Sequence, residues 1–420
     1  MSWNFPRYRW AMATLTWLMM FSLGLSWFCF APLELILMDE LSMDFGQVGL
    51  IISFVPLSLV LLCIPGGLLA DRFGIRKTVF LGGLLLGLFG LLRGCATNFA
   101  TLALTTFLCG VGYSIAYPNL PKITGLWFPS NEYAIASGAM FTGMEVGMAL
   151  PFIIIPSMLL PWTSSWRAVF IIMGLLSLTF SFAWILFARD KPKGTVKSGD
   201  GASFRESLSV VLRKRHMWIL MLTTFFLLAP QVGLLGFLQS MLTLKGLEPT
   251  TAGVITSLIP WFMIPGSFII PIISDKIGLK KPFIWALSLI AGITLYIIGT
   301  TTDTTLWASV IIYGFLIGGM APIILAMPVE IVGPQHSATA GGFMLTGGYL
   351  GAMIAPWLAG HLKAATNSFH PALILCVALT EVDVILGLML KEEKANKTNP
   401  YESLLTASKM HNLEISRKGP

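Results

Sequence analysis

Glu145 stands near the middle of a long apolar run, residues 134–160, and an acid in that setting can do proton chemistry. Hydrocarbon strips a carboxylate of its hydration and so favours the neutral acid. Gly143 and Gly147 flank it and allow another helix to come close. Two readings follow: an acid that takes up and releases a proton, or a permanently protonated acid bonded to a neighbouring helix. Lys122 lies toward the end of the run 101–125, where it either attracts an anion or extends its ammonium to the interface. Glu381 and Asp383 sit midway along the run 371–390, where interhelical hydrogen bonding is the first expectation and ion coupling the second. Arg93 and Glu34 fall near run ends and are expected to reach water, and Glu330 is placed to pair with loop arginines. No Gly-rich phosphate loop ending in Gly-Lys-Ser/Thr is present, and no His, Cys or carboxylate group has metal-ligand spacing. Cys29, Cys63, Cys95, Cys109 and Cys376 show no paired spacing. Neither an enzyme nor a cofactor nor a metal is expected.

The elements that must position these residues are membrane spans. The chain of 420 residues is 55% hydrophobic and only 11% charged, with a mean hydropathy of +0.79. A soluble domain usually carries about 25% charged residues. Apolar runs occur near 10–36, 46–70, 78–96, 101–125, 134–160, 167–188, 217–242, 250–274, 282–300, 304–329, 338–362 and 371–390. Each is long enough to cross about 30 Å of hydrocarbon as a helix. Continuous runs of this kind exclude a barrel, whose strands alternate. The first run lacks a short apolar core followed by a small-residue cleavage site, so it is expected to be a retained helix rather than a signal peptide.

The basic residues orient the spans. Arg7, Arg9, Arg72, Arg76, Lys77, Lys276, Lys280 and Lys281 flank one set of ends, with eight more Lys or Arg from Arg189 to Arg215 and six from Lys391 on. The opposite loops hold four: Arg93, Arg167, Lys245 and Lys363. This asymmetry places both termini in the cytoplasm of an inner (plasma) membrane protein. The net charge of +7 is therefore read as topology, and no nucleic-acid partner is expected. The domains read as an N-terminal six-helix bundle (1–188), a cytoplasmic linker (189–216), a C-terminal six-helix bundle (217–390) and a cytoplasmic tail (391–420).

An internal repeat supports that division. Asp71-Arg-Phe-Gly74-Ile-Arg-Lys77 matches Asp275-Lys-Ile-Gly278-Leu-Lys-Lys281, and Asp71 and Asp275 are 204 positions apart. The same offset relates Gly49 to Gly253, Thr101 to Thr305, Gly110 to Gly314, Pro118 to Pro322, Gly143 to Gly347 and Gly147 to Gly351. Each unit holds an even number of spans, so the copies run parallel about an axis along the membrane normal.

The segment Gly67-Leu-Leu-Ala-Asp71-Arg72-Phe-Gly74-Ile-Arg76-Lys77 resembles the loop 2–3 motif of the major facilitator superfamily. The resemblance implies an all-α integral membrane fold of twelve transmembrane helices in two parallel six-helix bundles, with alternating access to a central cavity. Ile75 departs from the pattern where a basic residue is common, and Pro271 replaces the glycine equivalent to Gly67, so the second copy is expected to be the weaker latch. Gly67, Asp71, Arg72, Gly74, Arg76, Asp275 and Gly278 are the latch candidates. Asp71 is expected to accept from a helix N-terminus or a basic neighbour, and Arg76 and Lys77 to reach lipid phosphates or acids across the gap. The alternative is that these residues only set topology. The stretch from Gly110 to Pro129 weakly resembles the cyanate-permease and nitrate/nitrite-porter branch.

In this family spans 1, 4, 7 and 10 line the cavity. The resemblance thus makes Trp27, Tyr113, Tyr117, Asn119, Gln231, Gln239 and Tyr313 candidate lining residues, beside Lys122, and Pro230-Gln231 a candidate backbone break. The expected function is secondary transport of a small solute, leaning to a small organic or inorganic anion, with proton coupling through Glu145. A proton-driven multidrug-type efflux pump is the alternative, and a sensor that kept the fold without transport is the third. The expected partners are a small-molecule substrate, the lipid bilayer and protons, with the chain acting as a monomer.

Overall fold

A computed structural model describes residues 5–129, 132–190, 204–333 and 335–390. Its described elements are helices, and twelve are long and apolar enough to cross a membrane. They are span 1 (Tyr8–Leu41), span 2 (Phe45–Phe73), span 3 (Ile75–Cys95), span 4 (Phe99–Trp127), span 5 (Ile135–Thr163) and span 6 (Trp166–Phe187). Span 7 (Arg215–Leu244), span 8 (Pro249–Ile277), span 9 (Lys281–Thr300), span 10 (Thr304–Val332), span 11 (Ser337–Thr366) and span 12 (His370–Met389) follow. The tail expected from residue 391 and most of the linker lie outside the described residues. The linker also contains a helix the sequence reading missed, Phe204–Arg213. It packs on span 11, with Val211 and Ser207 buried and the Ser207 hydroxyl 3.0 Å from His336 Nδ1.

Local chemistry starts and stops the spans. Asp44 opens span 2 with a capping box, its carboxylate accepting from the Gln47 amide at 2.8 Å while the Gln47 side chain accepts from the Asp44 amide. Asn98 and Thr101 do the same for span 4. At the tight turn after span 2, Gly74 has φ of +87°, a conformation that a side chain would strain.

Contacts within the first six spans recur six spans on. Spans 1 and 5, 2 and 4, and 3 and 6 pair, as do 7 and 11, 8 and 10, and 9 and 12. The glycines carry this symmetry to single residues. A Cβ on Gly143 or Gly147 would meet the carbonyls of Trp17 and Phe21, and one on Gly347 or Gly351 would meet those of Met221 and Phe225. Each of these contacts is repeated at the 204-residue offset, so the two bundles share one packing plan.

The bundles meet along spans 2 and 11 and along spans 5 and 8. At the ends away from the basic motif, a Gly49 Cβ would lie 2.3 Å from the Pro356 carbonyl oxygen and a Gly253 Cβ 2.0 Å from that of Phe152. These two contacts are also repeat mates, and they seal that face. Toward the basic face, Gly67 on span 2 and Gly341 and Gly342 on span 11 have nothing within 4 Å. Spans 2 and 11 thus leave these positions uncovered toward the basic face, while Gly138 of span 5 still packs on Phe268 of span 8.

Several spans are broken at proline, though not where expected. Span 1 passes through a 3₁₀ turn at Ala31–Leu33, span 4 through one at Tyr117–Asn119, and span 5 through a π turn at Ile155–Leu159. Span 7 instead runs as one helix from Arg215 to Leu244 through Pro230. The expected break at Pro230-Gln231 is corrected: proline removes one backbone donor, and intact turns on both sides hold the helix.

Candidate functional site

The centre of the molecule is built of aromatic rings from both bundles. Trp27 on span 1 meets Tyr113 on span 4 edge-on, with centroids 5.5 Å apart. Tyr113 stacks obliquely on Tyr117 at 5.5 Å, and Tyr117 meets Tyr349 of span 11 edge-on at 6.3 Å. This edge-on contact between Tyr117 and Tyr349 joins the two bundles. The Tyr113 hydroxyl points at Met144 Sδ, 3.7 Å away. Glu145, the next residue, stands close enough to both Tyr113 and Tyr117 to interact with them electrostatically.

Close backbone approach makes this layer possible. Gly24 on span 1 faces the Met144 carbonyl at 2.4 Å from its notional Cβ, which draws span 5 against span 1 one turn from Trp27. The resulting pocket holds polar atoms that nothing in the protein satisfies. Oε2 of Glu145 and Nε1 of Trp27 are both buried without a hydrogen-bond partner. An orphaned buried polar atom costs about 1–3 kcal/mol, more for a charged group, so these atoms are suited to a ligand.

Of the predicted residues, Trp27, Tyr113, Tyr117 and Glu145 come together. Gln231 occupies the position of span 7 that corresponds to Trp27 under the repeat; it is buried and donates to Met263 Sδ at 3.5 Å. Asn119 lies apart from the pocket, fully buried, and its amide donates to the carbonyls of Gly66 and Ile115 at 2.9 Å each, tying span 4 to span 2. Gln239 lies at the sealed end, donating to the Pro249 carbonyl at 3.1 Å. Tyr313 is fully buried near Cys376, with an unpartnered hydroxyl.

Lys122 donates to the Gly67 carbonyl at 3.2 Å and pairs with Asp71 at 3.4 Å, at the mouth of the central space. The Asp71 side chain is 68% exposed, so this pair is worth less than about 1 kcal/mol. Arg72 lies over the adjacent Phe73, Asp275 is exposed, and Gly278 ends span 8 with φ of +77°. Arg76 does not cross the gap as expected. Its guanidinium donates to the Ile185 carbonyl and its amide to Asp190, capping the end of span 6 within its own bundle. That carbonyl is an orphan acceptor at a helix C-terminus, a better partner than distant water-exposed acids.

Two further expectations are corrected. Arg93 does not reach water; it is 1% exposed, donates to the Ser26 carbonyl at 2.6 Å beside Cys29, and leaves Nε and Nη2 unpartnered. Glu34 is also 1% exposed, with both oxygens unpartnered. Arg93, at the end of span 3, turns onto the Ser26 carbonyl of span 1, and Glu34 lies within span 1, which runs on to Leu41 beyond its apolar run. Glu330 pairs with Lys280, a lysine where a loop arginine was expected. Sequence reasoning missed Tyr349 altogether. The signal was present, since the 204-residue offset that pairs the glycines puts Tyr349 at the position of Glu145.

Two parallel six-helix bundles that meet at a shared layer of aromatic rings, with polar atoms left unpartnered beside it, have the architecture of a membrane carrier of solutes rather than an enzyme. The Major Facilitator Superfamily model matches residues 16–356 and 221–417, and the chain belongs to that family. It is 24% identical to the hexuronate transporter of Bacillus subtilis (strain 168), over 81% of this chain and 85% of that protein. It is also 24% identical to the probable sulfoacetate transporter SauU of Cupriavidus necator, over 84% of this chain and 86% of that one. Among solved structures it superposes on a bacterial homologue of the human lysosomal transporter Spinster, in an inward-facing and occupied conformation. The TM-score is 0.74 at 17% identity, over 91% of this chain and 97% of that one. The chain is thus a multi-pass membrane transporter of small molecules.

Proposed function

We propose that this protein carries a small organic acid anion together with a proton, exposing the pocket around Trp27, Tyr113, Tyr117, Glu145 and Tyr349 to each face in turn. The observation that carries the reading is the charge of that pocket. Its polar atoms are neutral donors, the phenols and the Trp27 indole, and Glu145 is its acid. An anion entering beside an ionised Glu145 would be repelled; protonation removes that charge, so anion and proton move together. Arg93 supports the same sign of substrate. Behind the Ser26–Cys29 turn it is a permanently charged group with no acidic partner among the described residues, and it makes the N-terminal bundle positive. The relatives named for hexuronate and sulfoacetate fit this class.

In this reading residues 1–188 and 217–390 are the two rocking bundles, with both termini cytoplasmic and the basic face inside. The Asp71–Lys122 pair belongs to the latch that changes partners as the mouth closes, and the chain works as a monomer.

A second reading rests on the same rings. An aromatic cage with one carboxylate also suits an organic cation, through cation–π attraction, and would make the protein an efflux pump. Uptake by proteoliposomes separates the two. The anion reading expects a pH gradient with the acid side outside to drive accumulation of labelled D-glucuronate or sulfoacetate, and no flux of tetraphenylphosphonium. Flux of tetraphenylphosphonium against the gradient, with none of the acids moving, would replace it with the pump.

A further inference from the structure

We propose that Asp383, Ser288 and Thr223 form a monovalent-cation site, for a proton or a sodium ion, inside the C-terminal bundle. Asp383 on span 12 is 1% exposed, deep among spans 7, 9 and 12. Ser288 of span 9 donates to its Oδ2 at 3.0 Å. Thr223 of span 7 stands at the same carboxyl. Its hydroxyl approaches the carboxyl in poor hydrogen-bond alignment, and neither that hydroxyl nor Oδ1 of Asp383 has any other partner. Three oxygen-bearing side chains from three spans thus converge on one buried carboxyl, and only the Ser288 bond to it is well aligned. A buried carboxylate persists only when paired or neutralised. A proton on Oδ1 neutralises it directly. A sodium ion among hard oxygen ligands neutralises it by coordination.

Generic packing does not require an acid here. The corresponding contact of the N-terminal bundle, between spans 3 and 6, is made with a serine: Ser181 donates to the Phe80 carbonyl, and the interior of span 6 carries no ionisable residue. The site is also wired to the pocket. Thr224, next to Thr223, packs on Gly348 of span 11, and Gly348 precedes Tyr349. Occupancy that moves span 7 therefore acts on the ring that bridges the bundles. Of the other ionisable groups on spans 7, 9, 11 and 12, Arg215, His216, Lys281, Tyr296, His361, Lys363 and His370 stand at or near span ends, and Tyr349 is in the aromatic layer. Glu381 is half-buried over Gly292 of span 9, and Cys376 faces the apolar cleft between spans 7, 11 and 12.

The test needs no transport substrate, so it fails or succeeds apart from the anion reading. Full-length protein in detergent is melted in sodium chloride and in choline chloride at equal ionic strength. Proton uptake is titrated from about pH 9 to about pH 5, spanning ordinary carboxyl and shifted values. Sodium as occupant predicts a saturable rise in Tm with sodium that Asp383→Asn abolishes. A proton as occupant predicts no sodium response, but about one more proton taken up by the native protein than by Asp383→Asn. Thr223→Val and Ser288→Ala keep the acid and provide the same comparison if Asp383→Asn fails to fold; each should weaken the sodium response or displace the proton uptake. Variants whose sodium and proton responses both superpose on those of the native protein overturn the proposal.

Discussion

Adding one methyl group at Gly49 should turn the carrier around. The Cβ of Gly49→Ala would lie 2.3 Å from the Pro356 carbonyl oxygen, and ordinary contact begins about 1 Å further out. Both partners are backbone, so no side chain can swing away, and spans 2 and 11 must part at the sealed face. Overpacking of this kind costs about 1–3 kcal/mol. It applies only while that face is closed, because the opposite state separates the two spans. The ratio of the state open to the basic face over the state open to the other should therefore fall by about 5- to 150-fold. Gly253→Ala, at 2.0 Å from the Phe152 carbonyl, should act alike across spans 5 and 8, and the double variant should add the two costs. The assay is modification by an impermeant maleimide of a cysteine at Gly342, where nothing lies within 4 Å, with Cys63 and Cys95 replaced by serine. Labelling from the basic side should slow in each variant and most in the double. Unchanged labelling in all three would refute the claim that these glycines are the seal.

Other outcomes follow from single contacts. Asn119→Ala should lower thermal stability by about 1–3 kcal/mol, because it removes both amide donations, including the one to Gly66 that ties span 4 to span 2, and leaves a gap in the interior. It should leave the KM for substrate unchanged, whereas a substrate ligand at this position would raise it. Arg93→Met should keep or raise Tm, since an unpaired buried cation is replaced by an apolar chain of similar length, while weakening anion affinity several-fold in equilibrium binding. Asp303 caps span 10, and the Thr305 hydroxyl and amide hold its carboxyl below the usual range. A depressed folded-state value stabilises above the unfolded value and is lost as pH falls through the folded one. Asp303→Asn, which still caps, should therefore flatten the acid limb of the Tm profile and leave neutral pH nearly unchanged.

The scaffold was legible because its signals are long-range and redundant. Twelve apolar runs gave the spans, and the offset between Gly49 and Gly253 gave two contacts that the structure realises as the paired seal. Within the pocket, Trp27, Tyr113, Tyr117 and Glu145 were reachable from residue type and depth. Tyr349 was not sought, because a tyrosine in a glycine-rich span is most often packing; applying the repeat to Glu145 would have found it. Asn119, at the end of the Tyr117–Asn119 turn, turns its amide toward span 2, a direction that depends on the turn and is not legible from residue type. Arg93 and Glu34 sit near the ends of apolar runs, which do not show that span 1 continues to Leu41 or that the Arg93 guanidinium finds an acceptor in the Ser26 carbonyl. The helix Phe204–Arg213 was overlooked because a polar, basic stretch reads as a linker, although Val211 and Ser207 lie on one face four residues apart.

The most direct test of coupled movement is a comparison of two fluxes in proteoliposomes holding the native protein or Glu145→Gln. One is accumulation of labelled anion driven by a pH gradient, and the other is one-for-one exchange of the same anion at equal pH. With a permanently neutral side chain at position 145, gradient-driven accumulation should disappear while exchange continues. Accumulation at the native rate in Glu145→Gln would show that the proton travels elsewhere, and would contradict the account.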